Sequence, residues 1–275
     1  DTALWPALQA RYGVEARAAP IIPAGHGLTV DISFPRKTTL RQDVEEATVV
    51  SARTLTADGP DVPVKKHVEL RLPSNMTYRA GDYLAVLPLN PKATVARVFK
   101  HFHLCWDAAL TIHSDGPTSL PTGSTVSAAD VLGAYVELSQ PATKRNIQGL
   151  AEATEDPDVA EQLGRLAGAD YADEISAKRV SILDLLERFP AISLPFGAYL
   201  HMLPPMRVRH SRLTLTYSVL KQRARSGHGS HIGVASNFLS SLAPGDSLHV
   251  AVRPSDAFHL PADAEKTPLV CVAAG

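Results

Sequence analysis

The sequence has little cysteine and no excess of charge of either sign. Only Cys105 and Cys271 occur among 275 residues. This excludes a disulfide framework and indicates a reducing compartment, which we expect to be the cytoplasm. Lysine and arginine number 27 and aspartate and glutamate 28, so the formal net charge is −1. That balance offers no basic surface for nucleic acid and no polybasic patch for a membrane, and we expect neither partner.

Long apolar runs are also missing. No stretch is long enough to span a bilayer, and the first residues, DTALWPALQARYG, do not have the layout of a signal peptide. Proline is frequent, with 21 residues, but it separates segments rather than forming a low-complexity tract. The chain is long enough to bury a large core, either in one elaborate domain or in two smaller ones.

Alternating apolar residues occur at both ends of the sequence, and a helical pattern occupies its middle. Alternation predicts strands in four segments before residue 91: 28–34, 47–52, 67–73 and 83–88. It predicts strands in two later segments, 211–220 and 243–254, and a continuous apolar run predicts a buried strand at 268–275. Helical spacing predicts helices in five segments: 93–104, 127–138, 158–168, 181–190 and 234–242. This order indicates a barrel with a helical insertion.

A glycine-rich segment, GHGSHIGVASNFL (227–239), is the most informative motif. Gly227, Gly229 and Gly233 precede the helix, whose first turn would hold residues 234–236. Free N–H groups at the start of a helix suit a diphosphate, and Gly233 would let the ligand approach the backbone. The alternative is a hairpin loop that leads into a helix. Spacing alone favours this alternative, because glycine-rich loops are common.

A second candidate is a pair of arginines, Arg207 and Arg209, which point the same way in an extended chain. Two guanidinium groups can bind phosphate through paired hydrogen bonds, although solvated loop charges are the commoner explanation. The two candidate phosphate sites flank one polar strand face formed by Thr214, Thr216 and Ser218. This arrangement favours the phosphate interpretation.

Other polar clusters give no convincing chemistry. His101, His103 and Cys105 would not share one face of a helix, so we expect no metal site there. His228 and His231 are interpreted as polar loop residues. The sequence shows no Ser-His-Asp arrangement and no nucleophile elbow. We therefore predict no catalytic side chain in this chain.

Four segments in order, 67–90, 185–209, 227–239 and 257–275, resemble the diflavin NADPH reductases. The resemblance is strongest to the reductase half of fungal self-sufficient cytochrome P-450 fatty-acid hydroxylases. It implies an antiparallel Greek-key β-barrel of the ferredoxin–NADP reductase type, formed by residues 28–90 and 204–267. Residues 91–203 would form the helical connecting subdomain. Residues 1–27 would link to a preceding FMN domain, and residues 268–275 would begin an NADPH-binding domain.

The same resemblance implies FAD as the cofactor. Electrons would pass from NADPH through FAD and FMN to haem, with the FMN and haem domains on the same chain as partners. A sulfite reductase flavoprotein and the reductase half of a nitric-oxide synthase are alternatives within the family. A docking module that binds no flavin is the alternative outside it.

The resemblance also assigns cofactor contacts. Those implied for FAD are Arg179, Arg209, His210, Thr214, Leu215, Thr216, Gly233, Val234, Ala235 and Ser236. Arg53 matches, weakly, a position near the NADP phosphate.

One part of the family pattern is absent. An Arg-x-Tyr-Ser motif should begin at Arg209, with the Tyr stacked on the flavin and the Ser near its N5 atom. Here Ser211 follows His210, so the Tyr, the Ser and about a dozen further residues have no counterpart. Two explanations are open: a loop missing from the numbering, or a true deletion. We expect the former, because a barrel that keeps its diphosphate loop should also keep its flavin loop.

Overall fold

A computed structural model describes the chain from residue 36 to residue 266 with gaps. The described residues are 36, 39–40, 43–56, 63–79, 81–212, 215–227, 229–255, 259, 263 and 265–266. For residues 209–212 only the backbone is described. The predictions for residues 1–27, for the strand at 28–34 and for the strand at 268–275 lie outside the described residues.

The strands lie mostly at the two ends of the described chain. They are β1 (Glu45–Thr54), β2 (Lys65–Arg71), β3 (Tyr83–Val86), β4 (Ala109–Thr111), β5 (Thr125–Ser127), β6 (Arg209–Arg212), β7 (Leu215–Ser218), β8 (Lys221–Arg223), β9 (Ser230–Ile232) and β10 (Ser247–Arg253). Six of them form one antiparallel sheet in the order β6-β3-β10-β1-β2-β7. β4 pairs with β5, and β8 pairs with β9, in separate hairpins.

The six-stranded sheet curls so that its two edges approach each other. β6 and β7 lie at opposite edges of the sheet, yet only residues 213 and 214 connect them. Three peptide steps from Arg212 to Leu215 span at most about 11 Å. The curled antiparallel sheet with helices confirms the predicted fold class. The prediction of one strand at 211–220 is wrong, because Ser211 belongs to β6 and the chain changes sheet edge after Arg212.

Alternation along the strands builds the barrel core. The inward positions of these strands are buried: Ala47, Val49, Val68, Leu84, Val86, Leu215, Leu248 and Val250. Burial of each large aliphatic side chain contributes about 1.5–3 kcal/mol. Polar residues occupy alternate positions, as in β7, where Leu215 is buried and Thr216 and Ser218 are exposed. The period-two pattern therefore sets which face of each strand meets the core.

A helical block separates β3 from β6. Its helices are α1 (Lys92–His101), α2 (Ala128–Asp130), α3 (Lys144–Glu152), α4 (Pro157–Ala167), α5 (Ile182–Arg188) and α6 (Phe196–Met202). α2 continues as a π-helical turn, Val131–Tyr135, and a second π-helical turn spans Tyr171–Ser176. A later helix, α7 (Val234–Ser240), follows the β8–β9 hairpin. The predicted helix at 127–138 is therefore shorter and partly π-helical, and Ser127 caps it by accepting the N–H of Ala129.

Side-chain caps and one ion cluster hold the helical block together. Thr143 with Asn146 and Ser181 with Asp184 form capping boxes at the starts of α3 and α5. Arg97 of α1 also binds Asp184, at 2.6 Å, which ties α1 to α5. Among the described residues, no helix combines the length and the apolar character needed to cross a membrane.

Asn90 attaches the block to the barrel. Its side-chain amide donates to the carbonyls of Leu132, at 2.7 Å, and Val136, at 2.5 Å. On the far side of the same segment, the N–H of Met206 donates to the carbonyl of Tyr135 at 2.8 Å. The segment 132–136 is therefore bonded to Asn90, which precedes the helical block, and to Met206, which follows it.

Candidate functional site

A cleft of about 580 Å³ opens between the helical block and the β8–β9 hairpin. From the block it is lined by Glu137, Gln140, Lys178 and Arg179. From the other side it is lined by the segment from Leu220 through the hairpin into the start of α7. A cleft of this size is typical of small-molecule sites.

Arg179 reaches the cleft from a tight turn after the second π-helical turn. Its backbone has φ of 55°, a left-handed conformation that a side chain disfavours by roughly 1–2 kcal/mol. Its N–H donates to the carbonyl of Ser176 at 3.2 Å, which holds the turn. The Arg179 side chain is exposed, and the neighbouring Lys178 forms an ion pair with Glu174 at 2.6 Å.

Gly233 begins α7 and is closely packed. Its φ is −67°, so the backbone does not require glycine there. A Cβ atom at this position would lie 2.9 Å from the Cβ of Leu220 and 2.9 Å from the Oγ of Ser236. The glycine therefore lets the start of α7 lie against Leu220.

Polar side chains at the start of α7 form hydrogen bonds with Leu220, the residue before β8. The Oγ of Ser236 accepts the N–H of Leu220 at 3.0 Å. The side-chain amide of Asn237 donates to the carbonyls of Leu220, at 2.8 Å, and Gly233, at 2.9 Å. The first N–H groups of a helix have no intrahelical partner, and no side-chain cap supplies one at the start of α7, where Val234 and Ala235 line the cleft.

The other glycines of the motif shape the hairpin. Gly227 and Gly229 have φ of 77° and 67°, a conformation that glycine adopts at no steric cost. The N–H of Ala224 donates to the carbonyl of Gly229 at 3.1 Å and closes the turn. The hairpin interpretation of the motif is therefore confirmed for Gly227 and Gly229, and residues 233–235 separately line the cleft.

The cleft is electropositive around His231. Burial lowers the pKa of His231, and the nearby charges of Arg179 and Arg225 lower it further. Asp184 acts in the opposite direction. Two guanidinium groups from separate elements thus act on one imidazole, which places positive charge on both sides of the cleft.

The remaining predicted contacts lie on the sheet. Arg209 and His210 are in β6, opposite Val86 and Ala85 of β3. Leu215 is fully buried in the barrel core. Thr214 lies outside the described residues.

Arg53 and Thr216 share a different part of the sheet. Both lie directly opposite His67, Arg53 across β1–β2 and Thr216 across β2–β7. The Oγ1 of Thr216 is 3.2 Å from the Nδ1 of His67. Neither Arg53 nor Thr216 lines the cleft. The structure therefore brings Arg179 and residues 233–235 together, and it places Arg53, Leu215 and Thr216 elsewhere.

Sequence reasoning missed the other ionisable residues that line the cleft: Glu137, Lys178, Arg225 and His231. His231 was interpreted as a polar loop residue, and the others carried no motif. The glycine spacing 227, 229 and 233 was the available signal for a hairpin that would carry Arg225 in its turn and His231 on its second strand. No local pattern indicates which helix the hairpin meets.

Comparison with known proteins gives the family. Residues 38–238 match the family model described as FAD binding domain. The chain is 60% identical to a bifunctional cytochrome P-450/NADPH–P-450 reductase of Fusarium oxysporum, over all of this chain and 26% of that protein. It is 44% identical to a self-sufficient cytochrome P-450 monooxygenase of Exserohilum turcicum, again over the whole chain and 26% of the relative. A third relative, a self-sufficient cytochrome P-450 monooxygenase of Oidiodendron maius, is 45% identical over 90% of this chain and 24% of its own length.

The alignment with the Fusarium protein is longer than this chain. It extends over 287 positions, whereas the chain has 275 residues, so at least 12 positions have no counterpart here. β6 runs through His210 and Ser211 without a break, and the expectation of a loop missing from the numbering stays a prediction. The chain spans about a quarter of the length of the relatives it matches. With most of its residues covered by the family model, the chain belongs to the family of FAD-binding domains.

Proposed function

We propose that this chain is the FAD-binding module of an NADPH-dependent diflavin reductase. In the whole protein, electrons would pass from NADPH through FAD and FMN to the haem of a monooxygenase. The observation that carries this proposal is the cleft in which Arg179, from the helical block, meets residues 233–235. These residues were assigned to FAD separately, from two distant parts of the sequence, and they line one cavity.

The donor set of the cleft fits a diphosphate. Lys178, Arg179 and Arg225 supply positive charge, and guanidinium groups pair well with phosphate oxygens. The N–H groups at Val234 and Ala235 have no partner within α7 and can donate to the same oxygens. We propose that these five residues hold the diphosphate of FAD.

Ser236 has a different role from the contact first expected. Its Oγ accepts the N–H of Leu220, so we propose that it positions α7 rather than binding phosphate. Arg209, at the start of β6, remains a proposed second contact to FAD, together with His210 and Thr214. Leu215 and Thr216 would act by setting the position of β7. Arg53 stays a proposed contact to NADP.

Bound FAD supplies the exchange between hydride transfer and single-electron transfer, and the protein supplies binding, orientation and electrostatics. No side chain of this chain is proposed as an acid or base. The FMN and haem domains are the proposed partners on the same chain, because the matched relatives are named as fusions of a P-450 with its reductase or as self-sufficient monooxygenases. The proposed location is the cytoplasm.

Titration of FAD into the purified full chain, followed by calorimetry, tests the proposal. Reversal of charge in Arg179→Glu should weaken FAD binding by more than about tenfold, because a charge-assisted contact becomes repulsive. Arg165→Glu is the matched control, since Arg165 is an exposed arginine on α4 away from the cleft. Failure of the folded wild-type chain to bind FAD would favour the docking module. An equal loss of FAD affinity in both variants would mean that FAD does not bind in the cleft.

A further inference from the structure

A buried carboxylate lines a cleft whose other charged groups are cations. Glu137 shares the lining with Lys178, Arg179 and Arg225, and it is only 2% exposed. Arg179 and Arg225 are exposed, so water and salt screen their charges, whereas the charge of buried Glu137 is screened much less. The ion pair of Lys178 with Glu174 weakens the third cation. The repulsion that Glu137 exerts on an anion in the cleft is therefore large for a single charge.

The position of Glu137 is fixed by hydrogen bonds of both its backbone and its side chain. Its N–H donates to the carbonyl of Pro204 at 2.9 Å. One carboxylate oxygen accepts the N–H of Arg207 at 3.2 Å, and the other accepts the side-chain amide of Gln140. Both of these donors are uncharged amides, so they hold the carboxylate in place without cancelling its charge. The carboxylate cannot turn out of the cleft wall without breaking these bonds.

Ligands that contain adenosine and a chain of phosphates differ in charge at the end of that chain. The diphosphate of FAD is esterified on both sides and carries about two negative charges, whereas ADP carries about three and ATP about four, because a terminal phosphate ionises a second time near neutral pH. The interaction with a fixed charge grows in proportion to the charge of the ligand. Cations alone would therefore favour ADP and ATP over FAD, and a carboxylate opposes each ligand in proportion to its charge.

We propose that Glu137 is a specificity-determining residue of the cleft, whose carboxylate disfavours nucleotides that end in a free phosphate and so leaves the cleft to the doubly esterified diphosphate of FAD. This inference rests on the proposed function, because it concerns which other nucleotides the FAD site rejects. The discrimination comes from a repulsive group and not from an additional contact with the preferred ligand.

Calorimetric titrations of the full chain with ADP-ribose, ADP and ATP test the inference. ADP-ribose has the same doubly esterified diphosphate as FAD and no flavin, so contacts of the flavin ring do not enter the comparison. The wild-type chain should bind ATP no more tightly than ADP-ribose, although ATP carries more charge. Tighter binding of ATP than of ADP-ribose by the wild-type chain would overturn the inference, whether or not any variant folds.

Glu137→Gln removes the charge and keeps an oxygen that can accept the N–H of Arg207. Affinity should rise by about threefold for ADP-ribose and FAD and by about tenfold for ATP, with ADP between them, because the free energy gained is proportional to ligand charge. A variant that binds every ligand more weakly, or that changes all affinities by one common factor, would overturn the inference. Either result would mean that Glu137 acts through the fold alone.

Glu137→Asp separates the charge from the hydrogen bond. Its shorter side chain keeps a carboxylate but draws it back from the N–H of Arg207. The ratio of the ATP and ADP-ribose dissociation constants, which should fall about threefold in Glu137→Gln, should return to within about twofold of the wild-type ratio in Glu137→Asp. Discrimination that is kept in Glu137→Gln and lost in Glu137→Asp would assign the effect to the hydrogen bond and overturn the inference.

Glu155→Gln is the matched control for net charge. Glu155 is exposed and does not line the cleft, so this variant should leave all four affinities unchanged. An equal gain in Glu155→Gln and Glu137→Gln would overturn the inference, because the field of the whole chain would then account for it. A wild-type chain that binds FAD without the expected gains in Glu137→Gln loses this inference and keeps the proposed function. A folded wild-type chain that binds neither FAD nor ADP-ribose overturns both.

Discussion

The buried carboxylate of Glu137 accepts the backbone N–H of Arg207 at 3.2 Å and joins the helical block to the segment that enters the barrel. Glu137 is 2% exposed, and its other oxygen accepts a hydrogen bond from the side-chain amide of Gln140. A carboxylate is tolerated in such a position only when its oxygens are hydrogen-bonded. Since Glu137 also lines the cleft, this link helps to fix the floor of the proposed ligand site.

Replacement of Glu137 by alanine should lower the free energy of unfolding by about 1–3 kcal/mol. The variant removes the hydrogen bond between the N–H of Arg207 and the buried Glu137 carboxylate, and a hydrogen bond to a charged group contributes about this much. Urea denaturation of the full chain measures the change. Glu155→Ala is the control, since exposed Glu155 should stay within about 0.5 kcal/mol of wild type. Equal effects of the two variants would contradict a bridging role for Glu137.

Gly233→Ala should destabilise the chain by about 1–3 kcal/mol, the usual cost of overpacking. The new methyl group would lie 2.9 Å from the Cβ of Leu220, whose backbone is held by hydrogen bonds to Gly233, Ser236 and Asn237. FAD binding should weaken together with stability, because the start of α7 must shift away from Leu220. Thermal unfolding and FAD titration on the same preparations measure both effects.

Gly164→Ala is the matched control for that variant. Gly164 lies inside α4, and a Cβ atom there would meet nothing within 4 Å. Alanine is a better helix former than glycine, so the free energy of unfolding of this variant should rise by about 0.5–1 kcal/mol. A rise in the free energy of unfolding at both positions would show that the contact with Leu220 does not constrain Gly233.

The barrel and its helical insertion could be predicted because both depend on local periodicity. Alternation in β1 and β2 follows from burial of one strand face, β3 and part of β10 are buried on both faces, and the helices follow from apolar spacing. Alternation does not say which neighbour a strand pairs with. Residues 211–220 alternate throughout, yet β6 pairs with β3 and β7 with β2. The break between them is set by the closure of the sheet, which no local pattern contains.

The family resemblance supplied some of the residues that line the cleft and missed those that tertiary contact alone brings there. Arg179 and Gly233 were assigned in this way and do line one cleft. Arg225 lies in the turn, and His231 on the second strand, of a hairpin whose position depends on Leu220, through its hydrogen bonds with Ser236 and Asn237. Those bonds join residues 16 and 17 positions apart, and the sequence alone does not reveal them.

Tyr217→Phe should leave the chain equally stable or stabilise it by up to about 1 kcal/mol. The hydroxyl of Tyr217 is buried with no hydrogen-bond partner among the described residues, so its removal relieves a desolvation cost. Tyr171→Phe is the control, because the Tyr171 hydroxyl donates to the carbonyl of Ala142 at 3.1 Å. Loss of this hydrogen bond in Tyr171→Phe should lower the free energy of unfolding by about 0.5–1.5 kcal/mol. A marked loss of stability in Tyr217→Phe would mean that its hydroxyl has a partner in solution.

The same tyrosine should make the chain sensitive to alkali. Burial raises the pKa of Tyr217 from 10.0 to about 12, so the unfolded chain releases this proton first as pH rises. The stability contributed by the protonated form is fully present below pH 10.0 and is lost as pH rises towards about 12. Tyr217→Phe should flatten this part of the stability profile, which urea denaturation at a series of pH values measures. An identical decline in the variant would assign the effect to other groups.

His231 should couple FAD binding to proton uptake. Burial, Arg179 and Arg225 lower its pKa below 6.5, and Asp184 only partly opposes them, so the folded chain without ligand disfavours the charged imidazole. The stability contributed by the neutral form is present above pH 6.5 and is lost as pH falls through the lowered value.

A diphosphate in the cleft brings negative charge beside the His231 imidazole and raises its pKa again. FAD should therefore bind more tightly as pH falls below 6.5, and calorimetry in two buffers of different ionisation enthalpy should show protons taken up on binding. His231→Gln should abolish the uptake, because glutamine keeps a polar side chain that does not titrate. His113→Gln, at an exposed histidine outside the cleft, should leave it unchanged. Uptake that persists in His231→Gln would place the proton on another group and would separate His231 from the ligand.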